Sequence, residues 1–168
     1  MTRPELPRPI ALTSSPTRDK FIDMREIAKY SGCFVCGDTN AVGLGARFYF
    51  DEAAQKAICD ITADESYAGY KNVFHGGITA TLLDEIMIKA LLAEDVFVVT
   101  AEMTVRFKKP VFTGDCLRFE GRTTGRKGVL YLTEGRAVND KGETVATAKG
   151  KYIRPTTDLA DRLLESVA

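Results

Sequence analysis

The chain has 168 residues, of which 45% are hydrophobic, and its 23 basic side chains are balanced by 23 acidic ones. This length predicts one domain with a sizeable core, and the composition excludes a disordered chain. Because the net charge is zero, the chain lacks the excess of basic residues with which proteins bind nucleic acid or anionic membranes. No apolar run approaches the ~18 residues of a membrane span, and no signal peptide is recognisable, so a cytoplasmic protein is predicted.

The N-terminal region is predicted to precede the folded domain. Four of the six prolines lie within the first eighteen residues, which indicates a flexible arm over residues 1–20. The following segment, residues 21–30, predicts a short amphipathic helix at the start of a single domain spanning 21–168. The apolar side chains that share one face of this predicted helix are Phe21, Met24, Ile27 and Ala28.

A Cys-x-x-Cys turn follows, formed by Cys33 and Cys36. Disulfide frameworks are rare in cytoplasmic proteins, and one such pair supplies only half of a tetrahedral zinc site. Two small, semi-buried residues in a turn are therefore the favoured interpretation, and no metal site is expected within one chain. The alternative is an inter-subunit metal or redox site.

Most of the remaining chain alternates between apolar and polar residues, which is typical of half-buried strands, and one longer apolar segment interrupts the alternation. Gly- and Pro-containing turns separate the strands, including a hairpin turn at residues 125–128. The predicted order is two strands, a loop, one helix, four strands in a meander and a short terminal helix. The strands are predicted at 44–51, 57–61, 101–108, 117–124, 129–139 and 144–154. The loop is predicted at 63–74, the central helix at 77–92 and the terminal helix at 158–167.

The predicted central helix is apolar on almost every side, as expected for a helix that is enclosed by other elements. An antiparallel sheet wrapped around one long central helix is a hotdog fold, and the predicted class is α+β. Glu85 and Lys89 are four residues apart on this helix and are expected to pair on a partly exposed edge.

Candidate chemistry concentrates where this helix begins. His75, the only histidine, precedes the glycine pair Gly76 and Gly77, and a helix N-terminus offers unpaired N–H groups and positive dipole character. Asp84 lies seven residues after Gly77 on the same helical face, and no basic residue stands four positions from it. An isolated carboxylate among apolar side chains is costly, so Asp84 is either a functional group or a hydrogen-bonded structural one.

Other active-site motifs are absent from the sequence. It contains no G-x-S-x-G nucleophile elbow, phosphate loop or G-x-G-x-x-G fingerprint, so no cofactor is expected. His75 is a candidate general base, ligand or structural cap, of which the cap is favoured, since no second histidine accompanies it.

Three short segments carry a family resemblance: HGG at residues 75–77, LLDE at 82–85 and VRFKKP at 105–110. In this order they resemble the hotdog-fold thioesterases of the phenylacetic-acid-degradation (PaaI-like) type. The Cys turn with Asn40 and Gly43-Leu44 is similar to an N-terminal element of one bacterial subgroup. The resemblance covers about residues 33–154.

This resemblance implies an acyl-CoA thioesterase acting on a fatty or aromatic acyl-CoA. Backbone N–H groups of Gly76 or Gly77 would hold the thioester oxygen, and Asp84 would act as general base or nucleophile. In the family these parts come from opposite subunits, which implies a homodimer or a dimer of dimers, with no metal and no cofactor.

The resemblance also suggests substrate contacts and one alternative. His75 and Asn72 are the candidate substrate-binding residues. Many relatives carry Asn or Gln at the position of Gly69, and some carry Ser or Thr at that of Ile88, so a non-catalytic acyl-CoA-binding protein is the alternative. Candidate contacts to the acyl chain are Leu83 and Met87, for which core packing is the favoured role. Candidate contacts to the coenzyme A phosphates are Arg106, Lys108, Lys109, Arg126 and Lys127, for each of which surface solvation is favoured.

Overall fold

The computed structural model describes residues 23–165. Its helices are α1 (Gly76–Ala93) and α2 (Thr157–Leu164). Its strands are β1 (Arg25–Glu26), β2 (Tyr49–Asp51), β3 (Lys56–Thr62), β4 (Ala68–Tyr70), β5 (Val73–Phe74), β6 (Val99–Phe107), β7 (Cys116–Lys127), β8 (Leu130–Asn139) and β9 (Thr144–Ile153). Neither helix is both long and apolar enough to cross a membrane.

Seven strands form one antiparallel sheet in the order β1-β2-β3-β7-β8-β9-β6, and β4 and β5 form a separate hairpin. Helix α1 packs against the central strands of this sheet. The predicted hotdog fold of the α+β class is therefore confirmed. Side chains of α1 that are fully buried between helix and sheet include Leu82, Leu83, Ile86, Met87 and Leu91.

Two glycines allow α1 to approach the sheet closely. Gly121 of β7 pairs with Gly135 of β8 directly beneath the helix. A Cβ atom on Gly121 would lie 2.5 Å from the Ile86 carbonyl oxygen, and one on Gly135 would lie 3.1 Å from Met87 Cγ. The distance between helix and sheet is thus set by the absence of side chains at these two positions.

We expect Gly121→Ala to lower the free energy of unfolding by about 1–3 kcal/mol, because the added methyl group meets helix backbone that cannot move aside locally. Gly125→Ala on the same strand is the matched control, since its Cβ would meet only Leu132 Cδ1 at 3.9 Å. Urea denaturation of both variants measures the difference. Equal stability of the two variants would contradict the close packing.

The structure corrects the prediction for the N-terminal helix. Residues 25–26 form strand β1, which pairs with β2, and the side chain of Ile27 enters the core. The apolar residues whose spacing predicted a helix therefore belong, where they are described, to a short strand and the segment beside it. Residues 21–22 and the predicted flexible arm at 1–20 lie outside the described residues.

Several strand predictions were correct in pattern but wrong in partner or extent. Leu44 and Ala46 are buried as predicted, but their N–H groups bond to Phe34 and Val35 carbonyls rather than extending β2. Strand β6 pairs with β9 at the edge of the sheet, so the predicted four-strand meander is only three strands long. The β7–β8 turn lies at residues 128–129 and overlaps the predicted turn at 125–128 only at Gly128.

Candidate active site

The start of α1 is organised by His75. Its Nδ1 accepts a hydrogen bond from the Gly77 N–H at 2.8 Å, so His75 is the N-cap of the helix. Because Nδ1 accepts, the ring proton of the neutral imidazole lies on Nε2. The favoured interpretation of His75 as a structural cap is consistent with this geometry.

The same ring explains two glycines near it. A Cβ on Gly77 would lie 2.8 Å from His75 Nδ1, and one on Gly69 would lie 2.9 Å from His75 Cδ2. A side chain at position 69 would therefore require the His75 ring to move.

The cap also separates the roles of the two glycine N–H groups. The Gly77 N–H is occupied by His75, whereas the Gly76 N–H makes no hydrogen bond within residues 23–165. Gly76 lines a cleft of about 680 Å³ together with His75, Phe107 and Lys108. Gly76, rather than Gly77, therefore offers a free donor at the positive end of α1.

Asp84 lies on the third turn of α1 and is half-buried. Its Oδ1 accepts hydrogen bonds from the Tyr152 hydroxyl at 2.9 Å and from Thr100 Oγ1 at 3.1 Å. Thr100 alone also reaches Oδ2, at 3.3 Å. The carboxylate is therefore held by two hydroxyls from β9 and β6, and one oxygen is less occupied than the other.

Tyr152 was not identified from the sequence. It is fully buried, and burial followed by the charge of Asp84 raises the pKa of its phenol, so it stays protonated and can only donate to the carboxylate. The sequence feature that could have identified Tyr152 is its position in β9. It is a phenol among inward-facing residues that are otherwise small, namely Ala146, Ala148 and Gly150. Thr100, on the exposed edge strand, carries no comparable signal.

Gly76 and Asp84 are not brought together within one chain. They are eight residues apart on α1, and a rise of 1.5 Å per residue separates them by about 12 Å along the helix axis. Asp84 is also absent from the lining of the cleft that contains Gly76. In one chain these groups cannot act on the same carbonyl.

Asn72 has a turn role in this structure. It has a positive φ of 61° between β4 and β5, a conformation that asparagine tolerates better than most residues. Its carbonyl oxygen accepts a hydrogen bond from the Thr113 N–H at 3.0 Å. Asn72 does not line the cleft at Gly76.

The other candidate contacts lie in three different places. Lys108 and Lys109 line the cleft, and Lys109 is paired with Glu143 at 2.5 Å. Arg126 lies over the ring of Tyr131 instead, in the β7–β8 hairpin. Leu83 and Met87 are fully buried in the core.

Glu85 and Lys89 pair as predicted, at 3.5 Å, but the expectation of a partly exposed edge was wrong for Lys89. Lys89 is completely buried, and its Nζ donates to the Ala28 carbonyl at 2.5 Å and lies 5.0 Å from the centre of the Tyr30 ring. The chain segment that carries Ala28 and Tyr30 covers this side of the helix. The pair therefore belongs to the interior of the protein.

Comparison with known proteins relates this arrangement to one superfamily. The sequence profile described as the thioesterase superfamily matches residues 71–146. Acyl-coenzyme A thioesterase 13 of Homo sapiens is 31% identical over 113 residues, which are 66% of this chain and 80% of that protein.

Two solved structures share the fold. A thioesterase superfamily protein has a TM-score of 0.70 at 21% identity, over 74% of this chain, and this chain spans 61% of that protein. The PaaI protein from the phenylacetic acid degradation operon of E. coli has a TM-score of 0.57 at 24% identity, over 59% of this chain and 76% of its own.

Proposed function

Because this chain belongs to the thioesterase superfamily, a family of thioester hydrolases, we propose that it hydrolyses acyl-CoA thioesters as a homodimer whose subunits share each active site. The name of the human relative, an acyl-coenzyme A thioesterase, supports this substrate class. The observation that carries the proposal is the pairing of an open Gly76 N–H with an Asp84 carboxylate held between two hydroxyls.

The separation of these two groups supports a shared site. An attacking atom must come within about 3–3.5 Å of the carbonyl carbon, yet Gly76 and Asp84 are about 12 Å apart along one helix. A second copy related by a two-fold axis can bring its Asp84 to the Gly76 of the first. Each dimer then contains two equivalent sites.

Strand β6 is a suitable contact for that second copy. It is nine residues long and forms an edge of the sheet, so one row of its backbone groups is available for pairing. Phe107, at the end of β6, is 55% exposed, and its ring lies beside Gly76 in the lining of the same cleft.

The proposed assembly is measured by analytical ultracentrifugation, which distinguishes a dimer from a dimer of dimers.

The proposed reaction follows from these positions. The thioester carbonyl oxygen accepts a hydrogen bond from the Gly76 N–H, where the N-terminus of α1 stabilises the negative charge that develops. In one route, Asp84 of the other subunit takes a proton from a water molecule, which attacks the carbonyl carbon. In the other route, the Asp84 carboxylate attacks the carbonyl carbon itself, and water later hydrolyses the resulting mixed anhydride to release the acid and restore Asp84. In both routes, collapse of the tetrahedral intermediate expels the coenzyme A thiolate.

Thiol release from a panel of fatty and aromatic acyl-CoA esters tests the proposal. Hydrolysis of at least one ester class, at a rate well above that of buffer, is the expected result. Saturable thermal stabilisation by these esters without thiol release would instead indicate the acyl-CoA-binding alternative. The preferred ester also identifies the acyl class.

We expect Lys108→Ala to raise KM for the CoA ester roughly ten- to a hundredfold with little change in kcat, because a charged hydrogen bond to phosphate contributes about 1.5–3 kcal/mol. Lys108 lines the cleft and forms no ion pair within the described part of the chain, so its ammonium is available to a ligand. Lys141→Ala, on the exposed turn before β9 and away from the cleft, is the matched control. An equal effect of both substitutions would argue against a specific contact.

A further inference from the structure

The Cys turn forms a compact cluster with Glu85 on the side of α1. Cys33 is half-buried and Cys36 is fully buried, and both are free thiols. Their sulfur atoms and a carboxylate oxygen of Glu85 all lie within 4.8 Å of one another. The cluster therefore joins a half-accessible thiol, an enclosed thiol and a carboxylate within a single subunit.

The surroundings of Cys33 favour its thiolate. The Cys36 S–H and the Val35 N–H donate hydrogen bonds to its sulfur, the second at 3.3 Å, and the Lys89 ammonium adds a positive charge nearby. These contacts lower the pKa of Cys33 to about 5, so the thiolate predominates at neutral pH.

Cys36 has the opposite character. Its hydrogen bond to the Cys33 sulfur, its burial and the charge of Glu85 raise the pKa of its thiol, so it stays protonated. Burial raises the pKa of Glu85 as well, which makes that carboxylate a better proton acceptor than an exposed one. Two further titratable groups lie near Glu85: burial raises the pKa of Tyr30 to about 12 and also raises the pKa of the Cys59 thiol, so both remain neutral.

We propose that Cys33 and Cys36 form a thiol–disulfide exchange site for low-molecular-weight disulfides, in which Cys33 attacks, Cys36 resolves and Glu85 accepts the proton of Cys36. The proposal is independent of the thioesterase activity. It assigns a use to the buried Glu85–Lys89 pair, which contacts neither Gly76 nor the cleft.

The reaction is balanced without a further reagent. The Cys33 thiolate attacks a small disulfide, forms a mixed disulfide and releases one small thiolate. Cys36 then transfers its proton to Glu85 and attacks the Cys33 sulfur, which expels the second small thiolate. The two cysteines are oxidised to one disulfide, and the small disulfide is reduced to two thiols.

Two observations favour exchange over metal binding at this cluster. Only Cys33, Cys36 and Glu85 converge here among residues 23–165, which is one ligand fewer than a structural zinc site requires. The Lys89 ammonium already lies 3.5 Å from Glu85 and would repel a second cation at the same carboxylate. A stabilised thiolate also makes the disulfide easy to reduce, as expected for reversible exchange.

Mass spectrometry of the full-length chain after exposure to oxidised glutathione tests the proposal. The expected product is a Cys33–Cys36 disulfide, and Cys33 should be modified about tenfold faster at pH 6.5 than the exposed Cys116. This preference should fall below about pH 5 as the Cys33 thiolate is protonated. Measurement in the unmodified chain makes the result independent of whether variants fold.

Variants then separate the two steps. Cys36→Ser should stop at a single glutathione adduct on Cys33, and Glu85→Gln should slow the resolution of that adduct, whereas Cys116→Ser should change neither step. Equal modification of Cys33 and Cys116, or about one tightly bound zinc ion per chain in purified protein, would overturn the proposal.

Discussion

Asp84→Asn should lower kcat for acyl-CoA hydrolysis about a thousandfold, since removal of a general base or nucleophile commonly costs two to four orders of magnitude. The fold should survive, because the Asn oxygen can still accept the hydrogen bonds from Tyr152 and Thr100. Steady-state thiol release measures kcat, and thermal unfolding of the same preparation measures stability. A variant that keeps the parent rate would remove Asp84 from the reaction.

Tyr152→Phe supplies the control that separates positioning from chemistry. It deletes the donor at 2.9 Å from Asp84 Oδ1 and leaves the carboxylate in place. We expect a smaller loss of kcat, of roughly ten- to a hundredfold, since a hydrogen bond to a charged group contributes about 1.5–3 kcal/mol. If Tyr152→Phe and Asp84→Asn were equally damaging, folding rather than catalysis would be the common cause.

Gly76→Pro should reduce kcat by about 10²–10³, because it deletes the N–H that we assign to the thioester oxygen. The substitution is compatible with the backbone: Gly76 is the first residue of α1, where proline is favoured, and His75 before it has φ −65° and ψ 127°. Thiol-release kinetics and circular dichroism together measure the effect.

Gly76→Ala is its matched partner, since it keeps the N–H and places a Cβ 3.5 Å from the Phe107 ring, an ordinary contact distance. Near-parent activity of Gly76→Ala beside an inactive Gly76→Pro would identify the N–H as the essential group. Equal losses in the two variants would point to steric obstruction of the cleft instead.

The same variants test whether the site is shared between subunits. In a heterodimer of Asp84→Asn and Gly76→Pro chains, a shared arrangement leaves one site with both groups intact. Randomly paired subunits should then recover about a quarter of parent activity, although each variant alone is inactive. If the mixed preparation were as inactive as each variant alone, the shared site would be contradicted.

Local pattern was sufficient to predict much of the fold. Period-two alternation identified the strands that became β3 and β7 to β9, and the continuous apolar segment identified α1. These signals are carried by residues close in sequence, because side-chain direction repeats within a strand or a helix. The failed helix at 21–30 shows the limit, since a short strand at 25–26 is defined by its partner β2.

Candidate site residues were recognisable in the sequence where a residue type was unusual among its neighbours. Asp84 was the unpaired acid in an apolar helix, and the glycine pair marked the helix start. Their partners were not recognisable: Thr100 is 16 residues from Asp84 and Tyr152 is 68 residues away. Only folding of β6 and β9 beside α1 brings those hydroxyls to the carboxylate.

The amino-acid sequence by itself therefore determined the longer strands, the central helix, the α+β class and the identity of Asp84 as an unusual acid, but not the short strands β1, β4 and β5. Tertiary structure decided which strands pair, which of the two glycine N–H groups is free, and that Lys89 lies in the interior beside Cys33 and Cys36. The physical reason is that periodicity depends on neighbouring residues, whereas burial and hydrogen-bond partnership depend on segments that meet only when the sheet encloses the helix.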